Sequence, residues 1–220
     1  MKKVLKVGGS LLVALVVLTL VTLRLTGLEP PYVDPSSEEF ARSGATTRPG
    51  LWLTGEVVTT PVTNWDWVGK IRDPIRKNTI MIETRTWYGI PHSVTTGVVG
   101  RGDKLYVHGH QDEVRMSKQF PYDKFWTANV ARDPRVRMKI GGKIYEMTLV
   151  LITDRAEVAA IMGRDPETRV KGPDGQERVK EVMHYWRVFQ RNIPEYGSGA
   201  IAGTTSAPIL SGSRGPTGNR

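Results

Sequence analysis

The sequence predicts a mainly β domain with peripheral helices, an α+β arrangement, preceded by a single N-terminal transmembrane helix. Three observations carry this. Short runs rich in Val, Ile, Thr and Tyr between residues 79 and 153 end at the turns Tyr88-Gly89-Ile90-Pro91, Gly102-Asp103 and Gly141-Gly142, and such turns stop strands. Thr79 to Thr86 alternates strictly, with Ile80, Ile82 and Thr84 on one face and Met81, Glu83 and Arg85 on the other, as a half-buried strand does. Val7 to Leu23 holds no charged residue and is dominated by Leu and Val.

The roughly 17 residues of that apolar run reach the lower limit for a helix crossing the hydrocarbon core. Lys6 and Arg24 flank it, where long side chains reach the headgroups, and Leu25 to Leu28 extend it. Leu23-Arg24-Leu25-Thr26-Gly27-Leu28 offers no small-x-small cleavage site, so residues 1–28 read as an uncleaved anchor rather than a signal peptide. Lys2, Lys3 and Lys6 precede the span; after Arg24 comes an acidic stretch with Glu29, Asp34, Glu38 and Glu39. The positive-inside rule places the N-terminus in the cytoplasm and the remainder outside the cytoplasmic (inner) membrane, which in a Gram-negative cell is the periplasm.

Residues 29–50 carry Pro30-Pro31, Pro35-Ser36-Ser37 and Gly44-Ala45 without apolar periodicity, and are expected to be a linker spacing the domain from the bilayer. The domain is expected over residues 51–195. Leu51 to Val58 reads as its first strand, and Asn64 to Val68 as a short helical turn or a loop with aromatic anchors. After the strand at Thr79, strands are expected over His92 to Val99 and Lys104 to Gly109. A short helix over Phe125 to Arg132 ends before Asp133-Pro134, because a residue preceding proline leaves the helical region. Arg135 to Ile140 and Lys143 to Thr153 make a hairpin. Asp154 caps a helix over Arg155 to Gly163, with Glu157 at the capping-box position. Gly172-Pro173-Asp174-Gly175 is a turn. Gln176 to Asn192 reads as an amphipathic helix, with Val179, Val182, Met183, Trp186 and Phe189 as its packing face and His184 at its surface. Residues 196–220 turn to Gly, Ser, Thr and Pro and are expected to be a flexible tail.

The chain of 220 residues makes one domain with appendages. Its net charge of +9 is spread over scattered Lys and Arg without a long run, which describes a solvated basic surface rather than a nucleic-acid footprint. The absence of cysteine excludes a disulfide framework, a Cys-ligated zinc and a thiol nucleophile. His108 and His110 lie two apart near Asp112 and Glu113, but two histidines at a polar strand end make a poor metal site, and no metal is expected. The residues alone name no catalytic group.

The order of four pieces says more. Gly89-Ile90-Pro91-His92 is followed by Ser93-Val94-Thr95-Thr96, then Leu105-Tyr106-Val107, then Trp126-Thr127-Ala128-Asn129-Val130 with Asp133-Pro134-Arg135-Val136. This order resembles the split β-barrel of the pyridoxamine 5'-phosphate oxidase-like superfamily, with its FMN-binding and deazaflavin-dependent reductase families. The likeness covers residues 51–154, about half of the chain, and the last piece is its most specific part. It implies a homodimer that holds a flavin or deazaflavin at the subunit interface and transfers a hydride to a small-molecule substrate. A flavin mononucleotide needs cations and backbone donors for its phosphate, and polar contacts along the ring edge. The resemblance puts a basic residue for the phosphate in the approach to the Asn129 helix, which makes Lys118 and Lys124 the candidates and Arg85 the alternative. Asn129 would bind the phosphate or cap the turn, and Ser93, Thr95 and Thr96 would meet the flavin edge. The chain departs from the pattern in an insert over residues 110–123. That insert motivates a second expectation, a non-catalytic binding module that has lost its cofactor. Some relatives hold haem through a histidine, so haem on His108 or His110 is a third.

Overall fold

The computed structural model describes residues 2–34, 36–43, 47–71, 79–111 and 125–191. In chain order the elements are α1 (Lys2–Thr26), α2 (Glu38–Ser43), a 3-10 turn (Asp66–Lys70), β1 (Thr79–Thr84), β2 (His92–Arg101), β3 (Lys104–Gln111), α3 (Phe125–Arg132), β4 (Arg135–Ile140), β5 (Lys143–Leu151), α4 (Arg155–Met162), β6 (Glu167–Lys171) and β7 (Glu177–Gln190). Among the described residues strands hold 38% against 28% in helices, so this part of the chain is mainly β. Over Val7–Thr26, α1 has a mean hydropathy of 2.1 and none of it is buried, making it long and apolar enough to cross a membrane.

The seven-stranded sheet runs β3-β2-β1-β4-β5-β7-β6, and β7 pairs a second time, with β3. Long β7 achieves this by using different stretches. Residues 177–182 face β6, 182–188 face β3 and 186–190 face β5, all antiparallel. Residues directly opposite in an antiparallel pair share a face, so the registers separate two sides. One side gathers Ile80, Ile82, Val98, Leu105, Val107, Val136, Met138, Tyr145, Met147, Leu149, Trp186 and Val188 into the main core, with Trp65, Val68, Trp126 and Val130 from the 3-10 segment and α3. On the other side, Tyr106, Met183 and Tyr185 pack beneath Val158 and Ile161 of α4.

Most expected elements form where the pattern placed them; four expectations need correction. In the stretch expected as a helix over Gln176 to Asn192, residues Glu177–Gln190 form the strand β7 instead. From Met183 to Val188 that strand is covered on both sides, so both faces are apolar there, and with the exposed Val179 and Phe189 they mimic three- and four-residue spacing. His184 therefore sits on a strand, half-buried, opposite Gly109. Leu51 to Val58 is not a strand; Trp52 and Leu53 are buried, and the stretch meets the sheet through an isolated bridge of Val57 with Ile144, another of the preceding Gly50 with Ser93, and side-chain bonds to Leu53 and Thr54. The stretch 29–50 does not space the domain from the end of α1. The Leu28 amide donates to the Trp52 carbonyl at 3.1 Å, the Leu51 amide to the Leu28 carbonyl at 2.7 Å, and Val33 is buried. Finally, Asp154 caps α4 by accepting from the Ala156 amide at 2.9 Å, but Glu157 closes no capping box and instead pairs with Arg187 on β7. The expected tail at 196–220 lies outside the described residues, as does most of the 110–123 insert.

Candidate functional site

The most specific sequence piece folds into one corner of the sheet, where β1 ends, α3 ends and β4 begins. Asp133-Pro134 ends α3 there and turns the chain into β4. Asn129 of α3 is buried, and its Nδ2 donates to Thr84 Oγ1 at 3.0 Å, which pins the helix to the last residue of β1. Its Oδ1 accepts from Arg132 at 3.1 Å, and Arg132 also donates to the Arg85 carbonyl. Asp133 accepts two side-chain hydrogen bonds from Arg135, both at 2.8 Å, and lies 3.7 Å from the Arg85 guanidinium. The bonds from Arg135 bring its carboxyl down to about 2. Arg191, held by the carbonyls of Met147 and Val136, is close enough to feel Arg85, Asp133 and Arg135; burial lowers its pKa. Two guanidinium groups, those of Arg135 and Arg85, thus lie on Asp133, with Arg191 within electrostatic reach and Arg132 joined to the same corner through Asn129 and the Arg85 carbonyl, a setting suited to an anionic oxygen cluster.

Beside them, the β1–β2 connection is stiffened from within. Thr86 Oγ1 donates to the Ile90 carbonyl at 2.5 Å, and Tyr88 Oη lies 2.5 Å from His92 Nε2. Trp87 crowns this loop at 81% exposure, edge-on to Tyr88 with ring centroids 5.3 Å apart. Burial holds the His92 imidazole below its ordinary pKa, which favours the neutral ring.

The expected site residues that are described do not meet in one cradle. Arg85 is exposed at the corner just described. Ser93 and Thr95 fall on one face of β2 and Thr96 on the other, since alternate residues of a strand point apart. Ser93 is fully buried beneath Gly50, and its Oγ has no hydrogen-bond partner. Thr96 Oγ1 donates to the His108 carbonyl at 2.8 Å. Thr95 is half-buried. Asn129 is committed to Thr84 and Arg132, as above. Lys118 and Lys124 lie outside the described residues, as do Asp112 and Glu113. Among the described residues no cluster of His, Asp and Glu has the makings of a metal site. His108 packs against Tyr185, centroids 5.1 Å apart, and its ring fills the space above Gly97.

This corner therefore offers cations to an anionic group, whereas Ser93, Thr95 and Thr96 do not share one polar edge. Arg132, Arg135, Arg191 and the exposed Trp87 escaped the sequence reading. The legible signal was Arg-x-x-Arg around Asp-Pro (Arg132 to Arg135), together with two adjacent aromatics in a hairpin turn. The chain matches no protein-family model and no curated protein.

Proposed function

We propose that this chain is a membrane-anchored, homodimeric split β-barrel that binds FMN or a deazaflavin and transfers a hydride to a small molecule, with its folded domain outside the cytoplasm. The observation that carries the reading is the corner built by Trp126 to Val136, where the motif most specific to the resemblance coincides with the arginine cluster around Asp133. The strand pairings, which return from β7 to β3, are compatible with a barrel. A bound flavin would supply the redox chemistry itself. The chain's part is to bind and orient: Arg132, Arg135 and Arg191 would hold phosphate, with Arg85 at their edge and Lys118 and Lys124 as further cations, while Thr95 and the β2 backbone would meet the ring.

The full chain, purified in detergent, is expected to carry flavin absorbance or to acquire it on titration with FMN or a deazaflavin. Colourless protein that takes up neither overturns the reading. A second reading, a binding module without cofactor, is favoured by the internal commitment of Thr96 and Asn129; it predicts that colourless outcome together with retention of a partner protein. Haem is a third outcome of the same spectrum, a Soret band lost on replacing His108 or His110 by alanine.

A further inference from the structure

The geometry points to the Trp87–Tyr88 loop as a second membrane contact, seated in the headgroup layer beside α1. The inference rests on the reading of α1 as a membrane anchor.

The first support is the absence of slack between helix and domain. Only Gly27, with φ of 74°, separates the last residue of α1 from Leu28, whose amide and carbonyl are both bonded to the domain. Thr54 Oγ1 donates to the Thr26 carbonyl at 3.3 Å, and Glu29 forms an ion pair with Lys139 of β4. A domain fastened within a residue of the helix end has to lie against the bilayer surface.

The second support is which part of the domain lies nearest. Arg24, at the end of the apolar span, is close enough to Glu83 of β1 to act on its carboxylate. A Cβ on Gly50 would meet the Leu28 carbonyl at 2.2 Å and Ser93 Oγ at 2.6 Å, so the helix end lies over the start of β2. Trp87 and Tyr88 connect these two places, between Glu83 and Ser93 in the chain. Indole and phenol rings are the side chains that favour the membrane–water interface, and Trp87 is left 81% exposed on a loop whose own hydrogen bonds hold it out. Arg85, exposed beside the loop, and Arg24, at the end of the apolar span, are long enough to reach a headgroup layer.

The chain has no cysteine, so single-cysteine labelling is direct. Trp87→Cys carries an environment-sensitive fluorophore in the full chain, reconstituted into phosphatidylcholine–phosphatidylserine vesicles containing headgroup-level spin-labelled lipid. Asp103→Cys is the control, at the far end of the ten-residue strand β2, roughly 30 Å away at the usual rise per residue. The expected result is a blue-shifted emission at position 87, quenched at least threefold more than at position 103. Equal quenching at both positions in protein that floats with the vesicles and resists carbonate extraction overturns the loop contact alone. Protein released by carbonate overturns the anchor and the loop contact together.

Discussion

Glu83 and Arg137 stand directly opposite each other on β1 and β4, their side chains 3.3 Å apart, and both are spent on Leu53. The same carboxylate oxygen accepts the Leu53 amide at 2.6 Å, while Arg137 donates to the Leu53 carbonyl at 2.8 Å. Two side chains thereby satisfy a buried peptide that has no strand partner. Glu83→Ala leaves the buried amide without its acceptor and a largely enclosed guanidinium without its counter-charge, and is expected to cost about 3 kcal/mol. Chemical denaturation of the detergent-solubilised chain, followed by tryptophan fluorescence, measures this; a loss below about 1 kcal/mol would show the pair to be idle.

Burial raises the Glu83 pKa, more than Leu53 and Arg137 lower it. A carboxyl that binds its proton more tightly folded than unfolded adds stability below its ordinary value and loses that contribution as pH rises through the folded one. Asp133 works in the opposite sense. Its value falls from 3.8 to about 2, chiefly through Arg135, so its contribution is present above pH 3.8 and vanishes as pH falls towards 2. Asp133→Asn should therefore be less stable than the parent at pH 5, with the two curves converging near pH 2. Glu83→Gln should flatten the decline on the alkaline side of the carboxylate range. Acid titrations followed by circular dichroism distinguish these slopes.

How far the sequence carried depended on how many sides of an element are covered. Thr79 to Thr84 could be read because Ile80, Ile82 and Thr84 are buried in the core while Met81 is only half covered. Phe125 to Arg132 could be read because Asp133-Pro134 ends it. β7 was misread because Met183 and Tyr185 pack under α4 while Trp186 and Val188 fill the main core. The site was legible only where a motif coincided with a corner. Nothing in the local pattern of Ser93 or Asn129 says that one is sealed under Gly50 and the other spent on Thr84, because both contacts join residues more than forty positions apart.

Asn129 and Thr84 allow the structural use of the asparagine to be separated from a ligand-binding one. Asn129→Ala leaves the Thr84 hydroxyl, fully buried, without its donor and is expected to destabilise by about 1–2 kcal/mol. In a double-mutant cycle with Thr84→Val the coupling should be about 1 kcal/mol. No coupling would mean that the two side chains do not depend on each other, and would release Asn129 for a contact with a ligand.

Two glycines of β2 make the sharpest steric contrast. A Cβ at Gly97 would meet the His108 imidazole at 2.2 Å, and a Cβ at Gly100 would meet the Trp65 carbonyl oxygen at 2.0 Å. The imidazole can rotate away at modest cost. The carbonyl cannot, because the Trp65 amide is bonded to the Gly102 carbonyl at 2.6 Å and Asp66 accepts from the Gly102 amide at 2.7 Å, locking the 3-10 segment to the β2–β3 turn. Gly100→Ala must displace that whole segment and with it Trp65 and Val68 from the core, an overpacking cost of about 2–3 kcal/mol. Gly97→Ala should cost less, about 1 kcal/mol. The order of the two denaturation midpoints decides it: a Gly97→Ala chain less stable than Gly100→Ala would place the rigid obstacle at His108 instead of at the Trp65 backbone.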